Sequence, residues 1–455
     1  MTVFSTRNPA TDELVRTYDV HGPDEVESRL QRVYDAWRAL RDITVEERAV
    51  MLGRLAKHFE ENVDRYAALV TQEMGRPLVE ARPEILKCAV TCRVVAERGV
   101  DWLRPLRVDT EVRSSVVRFE SLGPILAVMP WNFPFFQVIR FFAPAFLAGN
   151  TALVKHAENV PACAEALEEA FASMGAPEGT LLNVRVERDA VGALIEDARI
   201  RSVTFTGSVA AGRTVAKQAG AAGKKSVLEL GGSDPFVVLG DADLDVAVPG
   251  AVQARFANAG QSCICGKRFL VHADIAEDFL HRFAEQAGRI VVGDPTDEAT
   301  TMGPLARADL RDALHAQVER SIAMGARAFL EGGPVEGPGY FYRPTILVDV
   351  PEDAPAGCQE LFGPVASVFT FRSDDEALAL ANSTSFGLGS SVWTRDDQRA
   401  ARFVDGIEAG AVFVNDVVRS DARLSFGGVK ASGFGRELGL LGSREFTNAK
   451  MVWIA

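Results

Sequence analysis

The chain has 455 residues, 47% of them hydrophobic and 24% charged, with a formal net charge of −13. That length exceeds what one hydrophobic core holds and, at about 100–200 residues per domain, predicts two to four domains of a soluble globular protein. The net negative field disfavours nucleic acid or an anionic membrane as partner, and neither a low-complexity tract nor an internal repeat is present.

In chain order, the opening "MTVFSTRNPATDE" lacks the basic start and apolar run of a secretory leader, which predicts a cytoplasmic protein. The first hundred residues read mainly as helices, "VESRLQRVYDAWRAL" and then "EERAVMLGRLAKHFEENVDRYAALVTQEMG", the latter ending at Gly75 ahead of Pro77. Six scattered cysteines make no disulfide framework; Cys88 and Cys92, four apart on a helical pattern, face packing, and no set of ligands has metal-binding spacing.

From "SSVVRFESLG", which alternates like an exposed strand, short apolar runs recur between helices: "ILAVMP", "TALVKH", "SVTFTG", "PFVVLG" and "RFLVH". Near-continuous apolar strands separated by helices indicate parallel sheets covered on both faces, so the fold class is α/β. Between Ser121 and Lys155 only Arg140 is charged, but Pro124, Pro130, Pro134 and Pro144 leave too much unpaired backbone for a bilayer helix. That stretch predicts a buried strand, a loop and a buried helix. A second series of strands follows residue 263, so two α/β units meet near "LELGGSDP" and leave a cleft between them.

Polar residues after the strands fall where such sheets bind ligands: Asn132, Lys155, Glu158, Gly207 and Ser208. Gly207 and Ser208 open a helix whose free N–H groups suit a phosphate, although Ser208 serves equally as a plain cap. There is no G-x-G-x-x-G, and "GAAGKKS" is too short for a phosphate loop, which disfavours an ATPase. In "NAGQSCICGKRF" (258–269), Cys263 follows a glycine-flanked turn that can lift it into the cleft. Glu229 ends a strand beside two glycines and suits either a base or an ion-pair partner. Asn132 offers an amide that suits either an oxyanion or an Asx turn.

Taken together, "MPWNFPF" (129–135), "AGNTALVKHAE" (148–158), "FTGSVAAG" (205–212), "LELGG" (228–232), "NAGQSC" (258–263), "ELFGPV" (360–365) and "FGGVKASGFGRE" (426–437) resemble the aldehyde dehydrogenase superfamily, in the family's order, with "RNPATDE" extending the match toward the N-terminus. The resemblance implies a Rossmann-type cofactor domain (1–103 and 122–230), an α/β catalytic domain (231–442) and a small β oligomerisation region (104–121 and 443–455). It makes Cys263 the nucleophile, Asn132 with the Cys263 N–H the oxyanion site, and Glu229 the base that hydrolyses a thioester. It places Trp131, Lys155, Glu158, Gly207, Ser208, Glu360 and Phe362 at a nicotinamide dinucleotide, and predicts a homodimer or homotetramer whose 104–121 segment and C-terminal tail pair across subunits. A carboxylate at Glu158 repels a 2′-phosphate, so the expected cofactor is NAD, with NADP as the alternative.

Within that superfamily, "NFPFFQVIRF", "GQSCICGKRF" and "VVRSDARLSFGG" are most similar to bacterial succinate-semialdehyde dehydrogenases. That similarity implies a cation for the substrate's carboxylate: Arg140 first, with Ser420 as second donor and Phe426 nearby. The alternative for Arg140 is a structural ion pair, and Phe135 and Phe141 suit a general aliphatic or aromatic aldehyde as well. Cys265, two residues from the nucleophile in a segment read as extended, lies within reach of a reversible disulfide or is a small buried residue. A cysteine hydrolase using His156 or His272 is the remote alternative.

Overall fold

The protein is described by a computed structural model covering residues 3–455. The chain begins with an antiparallel hairpin, Val3–Arg7 with Leu14–Asp19, which the helical reading of this region did not include. Four helices follow, Pro23–Leu40, Val45–Glu61, Val63–Met74 and Leu78–Trp102. The second and third were read as one; Asn62 (φ −119°) breaks them, its side-chain amide donating to the His58 carbonyl of the preceding helix. A capping box at Thr44 and Glu47 starts the second helix, and left-handed Gly75 stops the third.

The first sheet has the strand order 433–434, 225–229, 202–206, 125–128, 152–155, 181–183. All its neighbours are parallel except Gly433–Phe434, which pairs antiparallel with Leu228 and Glu229. Residues 433–434 were assigned with the second unit; their hydrogen bonds put them on the first. Successive strand residues point to opposite faces. Ile125, Ala127, Val154 and Val227 pack beneath the helices Leu78–Trp102 and Phe136–Leu147, whereas Leu126, Leu153, Val203 and Leu228 pack on the other side against Leu30, Val33 and Val215. Every residue of Phe136–Leu147 is buried, and no described helix is both long and apolar enough to cross a membrane.

The second sheet has seven strands in the order 327–330, 345–348, 365–371, 266–272, 234–238, 391–393, 413–414, antiparallel only at its first pair. Only Leu230–Ser233 separates the last residue of the strand Lys225–Glu229 from the first of Asp234–Val238, so the carboxyl edge of one sheet runs directly into the amino edge of the other. A third sheet joins Thr447–Ile454 to Ser114–Ser121 in eight antiparallel pairs, with Leu106–Arg107 outside. These segments were expected to pair across subunits; in this structure they pair with each other within one chain, leaving Met451 and Trp453 exposed.

Candidate active site

The strand order of the first sheet reverses between Ile125–Val128 and Ser202–Thr206, and a crevice opens past their carboxyl ends. Trp131 and Asn132 follow the first of these strands, Gly207 and Ser208 the second. A cavity of about 250 Å³ is lined there by Trp131, Asn132, Gln137, Thr206, Gly207, Ser208, Glu229, Gly231, Cys263, Glu360 and Phe362, among others. Eight residues singled out in the sequence thus share one cleft. Its floor comes from the first sheet and its far wall from the turn preceding the strand Gly266–His272 of the second.

That turn is held under backbone constraint. Asn258 (φ 54°), Ala259 (φ 51°) and Gly260 (φ 70°) are consecutively left-handed, and a Cβ on Gly260 would collide with the Gly363 carbonyl. Buried polar contacts fix it: Arg76 Nε donates to Asn258 Oδ1 (2.9 Å), and Asn258 Nδ2 donates to the Asn132 carbonyl (3.1 Å). Arg76 also donates to the Asn132 carbonyl (2.8 Å) and ion-pairs with Glu84, whose carboxylate accepts the Phe135 and Phe136 N–H groups. Arg76 and Glu84 therefore lock the "WNFPFF" loop to the nucleophile turn. Sequence reasoning missed both: Arg76 lies between two helices and Glu84 within the second, and nothing in the stretch sets them apart from Glu80 and Arg82.

Cys263 is partly exposed to the cleft, and burial pushes its thiol up to about 12, with Arg140 and then Lys267 opposing. Its N–H takes no acceptor among the described residues. Asn132 Nδ2 donates one hydrogen to the Gln261 carbonyl (3.1 Å) and keeps the second unused. Glu229 is 1% exposed, its carboxylate oxygens lack donors, and burial pushes its carboxyl up to about 8, with Arg140 opposing and Glu437 adding to the rise.

Arg140 is not poised over the open cleft. Its Nε donates to Glu437, Nη2 lies 3.7 Å from Glu229 Oε2, and the guanidinium stands 4.8 Å from the Phe426 ring centroid. The structure thus commits it to a buried ion pair, the alternative left open by the sequence, because a charge 3% exposed needs a carboxylate. Glu437 was the missed partner, although it ends the quoted "FGRE" stretch. Ser420 instead accepts from Lys87 Nζ (2.9 Å), an ammonium pushed down to about 8 by burial and then by Arg140.

The cysteine pair also departs from expectation. Residues 262–265 form a turn, with the Cys265 N–H on the Ser262 carbonyl (3.3 Å), and Cys265 is buried while Cys263 opens to the cleft. The extended geometry behind the disulfide reading is absent.

On the cofactor side, Ser208 Oγ caps the helix Val209–Ala221. Gly231 leaves no space for a Cβ against Glu360, Trp131 meets Phe362 edge-on with centroids 5.8 Å apart, and Thr206 Oγ1 is buried without a partner. A glycine-lined crevice ending at a helix N-terminus, with an unsatisfied hydroxyl in its lining, fits a dinucleotide. Lys155 and Glu158 lie farther along the same edge, paired at 3.3 Å, with Arg188 Nε 3.4 Å from the same carboxylate.

The model of the aldehyde dehydrogenase family matches residues 1–452. The chain belongs to the aldehyde dehydrogenase family. It is 47% identical over 452 residues to a probable succinate-semialdehyde dehydrogenase [NADP(+)] of Synechocystis, covering 99% of this chain and 100% of that one. It is 46% identical over 455 residues to succinate-semialdehyde dehydrogenase [NADP(+)] 1 of Mycobacterium tuberculosis, with the same coverage. Among solved structures, succinic semialdehyde dehydrogenase from Streptococcus pyogenes in complex with NADP+ superposes with a TM-score of 0.96 at 34% identity over 99% of both chains. These relatives overturn the expectation of NAD drawn from Glu158. The physical reason lies beside that residue: Lys155 and Arg188 flank the carboxylate, so it is not the isolated negative charge on which the argument from repulsion depended.

Proposed function

We propose that this aldehyde dehydrogenase oxidises succinate semialdehyde to succinate with NADP(+). The observation that carries the chemistry is the meeting, in one cleft, of the Cys263 thiol, the buried Glu229 carboxyl and two unused N–H donors, from Asn132 and from Cys263 itself. The substrate assignment rests on the full-length likeness to enzymes bearing that name.

Cys263 Sγ attacks the aldehyde carbon as the thiolate, its proton having passed to solvent, which leaves Glu229, its pKa raised toward working pH, free to act as base in the later step. Asn132 Nδ2 and the Cys263 N–H receive the developing oxyanion. Trp131, Gly207, Ser208, Glu360 and Phe362 would hold the dinucleotide, and Lys155 with Arg188 its 2′-phosphate; bound there, it supplies the acceptor for the hydride. The acyl group left on Sγ as a thioester is attacked by water that Glu229 deprotonates, which releases the acid and restores the thiol. Lys87 with Ser420 offers the substrate's carboxylate a cation that no carboxylate already claims, in place of the occupied Arg140.

The domain division follows the resemblance, apart from residues 433–434 on the first sheet. The exposed apolar face around Met451 and Trp453 supports assembly into a homodimer or homotetramer, and the chain is read as cytoplasmic. The test is kcat/KM for succinate semialdehyde against butanal in wild type and Lys87→Met. Wild type favours the semialdehyde, and the variant raises KM for it alone; equal use of both aldehydes by wild type removes the substrate assignment.

A further inference from the structure

The chemistry asks a thiol whose acidity its surroundings suppress to give up its proton, and one cation beside it has no role so far. Lys267, on the strand Gly266–His272, is 1% exposed. Its Nζ donates to the Ser262 and Cys263 carbonyls, both at 2.9 Å, and lies 3.6 Å from Glu360 Oε1. Glu360 in turn accepts the Gly232 N–H at 3.0 Å, and a Cβ on Gly232 would stand 2.6 Å from the Cys263 carbonyl oxygen. The ammonium is thus the hub at which the nucleophile turn, the "LELGG" loop and Glu360 are joined.

Two carbonyls satisfy an ammonium's hydrogens without neutralising its charge, and a buried charge is costly until an anion faces it. The charged groups around this point come from several packed elements: Glu360 from its loop, Asp234 from the adjoining strand, Arg268 from the same strand as Lys267, Arg255 from the helix Leu244–Phe256 with its hydrogens on the Gly260, Gly266, Leu361 and Gly363 carbonyls, Glu229 from the end of the first sheet, and Arg140 from the helix Phe136–Leu147. Burial pushes the Asp234 carboxyl up to about 7 despite Lys267, which weakens it as a countercharge near neutral pH. Glu360 is held beyond hydrogen-bond distance. Of the two cations that favour a Cys263 thiolate, Arg140 is engaged by Glu437 and faces Glu229.

We infer that Lys267 is a positioning residue for the nucleophile: its ammonium fixes the Ser262 and Cys263 carbonyls and is the countercharge that stabilises the Cys263 thiolate. The inference rests on Cys263 being the nucleophile. A purely structural pin would need only the hydrogen bonds and would leave the thiol's acidity unchanged.

The experiment is alkylation of Cys263 by iodoacetamide in the full-length protein, without aldehyde or dinucleotide, followed by mass spectrometry as a function of pH. Exposed Cys358 serves as internal reference. Lys267→Gln keeps donor hydrogens and loses the charge, whereas Lys267→Met loses both. Both variants are expected to react about tenfold more slowly at Cys263 at a fixed pH, with the profile displaced upward by about one pH unit and Cys358 unchanged. Should Lys267→Met not fold, Lys267→Gln decides alone. A Lys267→Gln profile that overlays wild type overturns the countercharge, whatever happens to turnover. Because the readout uses neither substrate nor cofactor, it stands apart from any failure of the proposed reaction.

Discussion

Replacing Arg140 by methionine asks whether this buried cation works on Glu229 or on the substrate. Its Nη2 stands 3.7 Å from Glu229 Oε2, and the two side chains are 3% and 1% exposed. At an effective dielectric of about 20, unit charges at that spacing attract by about 4 kcal/mol. Glu437 on the same guanidinium takes a share of that attraction, so a loss of roughly half is expected, equivalent to about one to two pKa units on Glu229. The sign follows from its role. Glu229 acts as a carboxylate, its pKa already pushed up to about 8, so its protonation sets the acid limb of kcat. Arg140→Met moves that limb to higher pH, and Arg140→Lys restores part of it. Glu437→Gln removes a like charge and leaves Arg140 to Glu229, so it moves the limb to lower pH. The assay is the pH dependence of kcat with butanal, which carries no carboxylate and is blind to any substrate anchor. Limbs that stay in place, or that move in the same direction in both variants, refute the coupling.

Asn132→Ala removes one oxyanion donor and is expected to lower kcat by about 10²–10³ with the fold intact by circular dichroism. Arg188→Ala takes a cation from beside Glu158 and raises KM for NADP(+) with kcat nearly unchanged, read from initial rates at varied cofactor. Glu229→Gln changes stability with a defined sign. A carboxyl raised on folding from 4.5 to about 8 is protonated in both states below about pH 4.5, and it opposes folding increasingly as pH rises through about 8. The variant should therefore melt above wild type on the alkaline side, by an amount equivalent to a few kcal/mol, and together with it in acid.

Much of this site could be read from the chain because its residues follow apolar strands. Asn132 and Gly207 fall after "ILAV" and "SVTFT", Glu229 ends "KSVLE", and the rule that ligands sit past carboxyl ends locates them. Cys263 escapes that rule, since it precedes its strand and reaches the cleft only because Leu230–Ser233 turns one sheet's carboxyl edge into the other's amino edge. The junction at "LELGGSDP" and the glycine-flanked turn pointed Cys263 toward a cleft; the resemblance made it the nucleophile. Partners of buried charges were hidden. Nothing near Arg140 in sequence announces Glu437, nearly three hundred residues away; the anchor reading came from the resemblance, and the apolar run supported only the ion-pair alternative. Glu158 misled for a related reason: Lys155 was visible three residues off, but Arg188 arrives through the fold. The N-terminal hairpin was missed because its two short strands bury only Phe4, Thr6 and Tyr18 and so carry a weak pattern.

In the proposed reaction Cys263 carries the acyl group and Glu229 releases it. Incubating Glu229→Gln with succinate semialdehyde and NADP(+), quenching in acid and mapping peptides by mass spectrometry tests both halves together. A succinyl thioester is expected to accumulate on Cys263, with roughly one equivalent of NADPH formed per subunit and little free succinate. Continuous turnover without an adduct, or an acyl group on any other residue, contradicts that reaction.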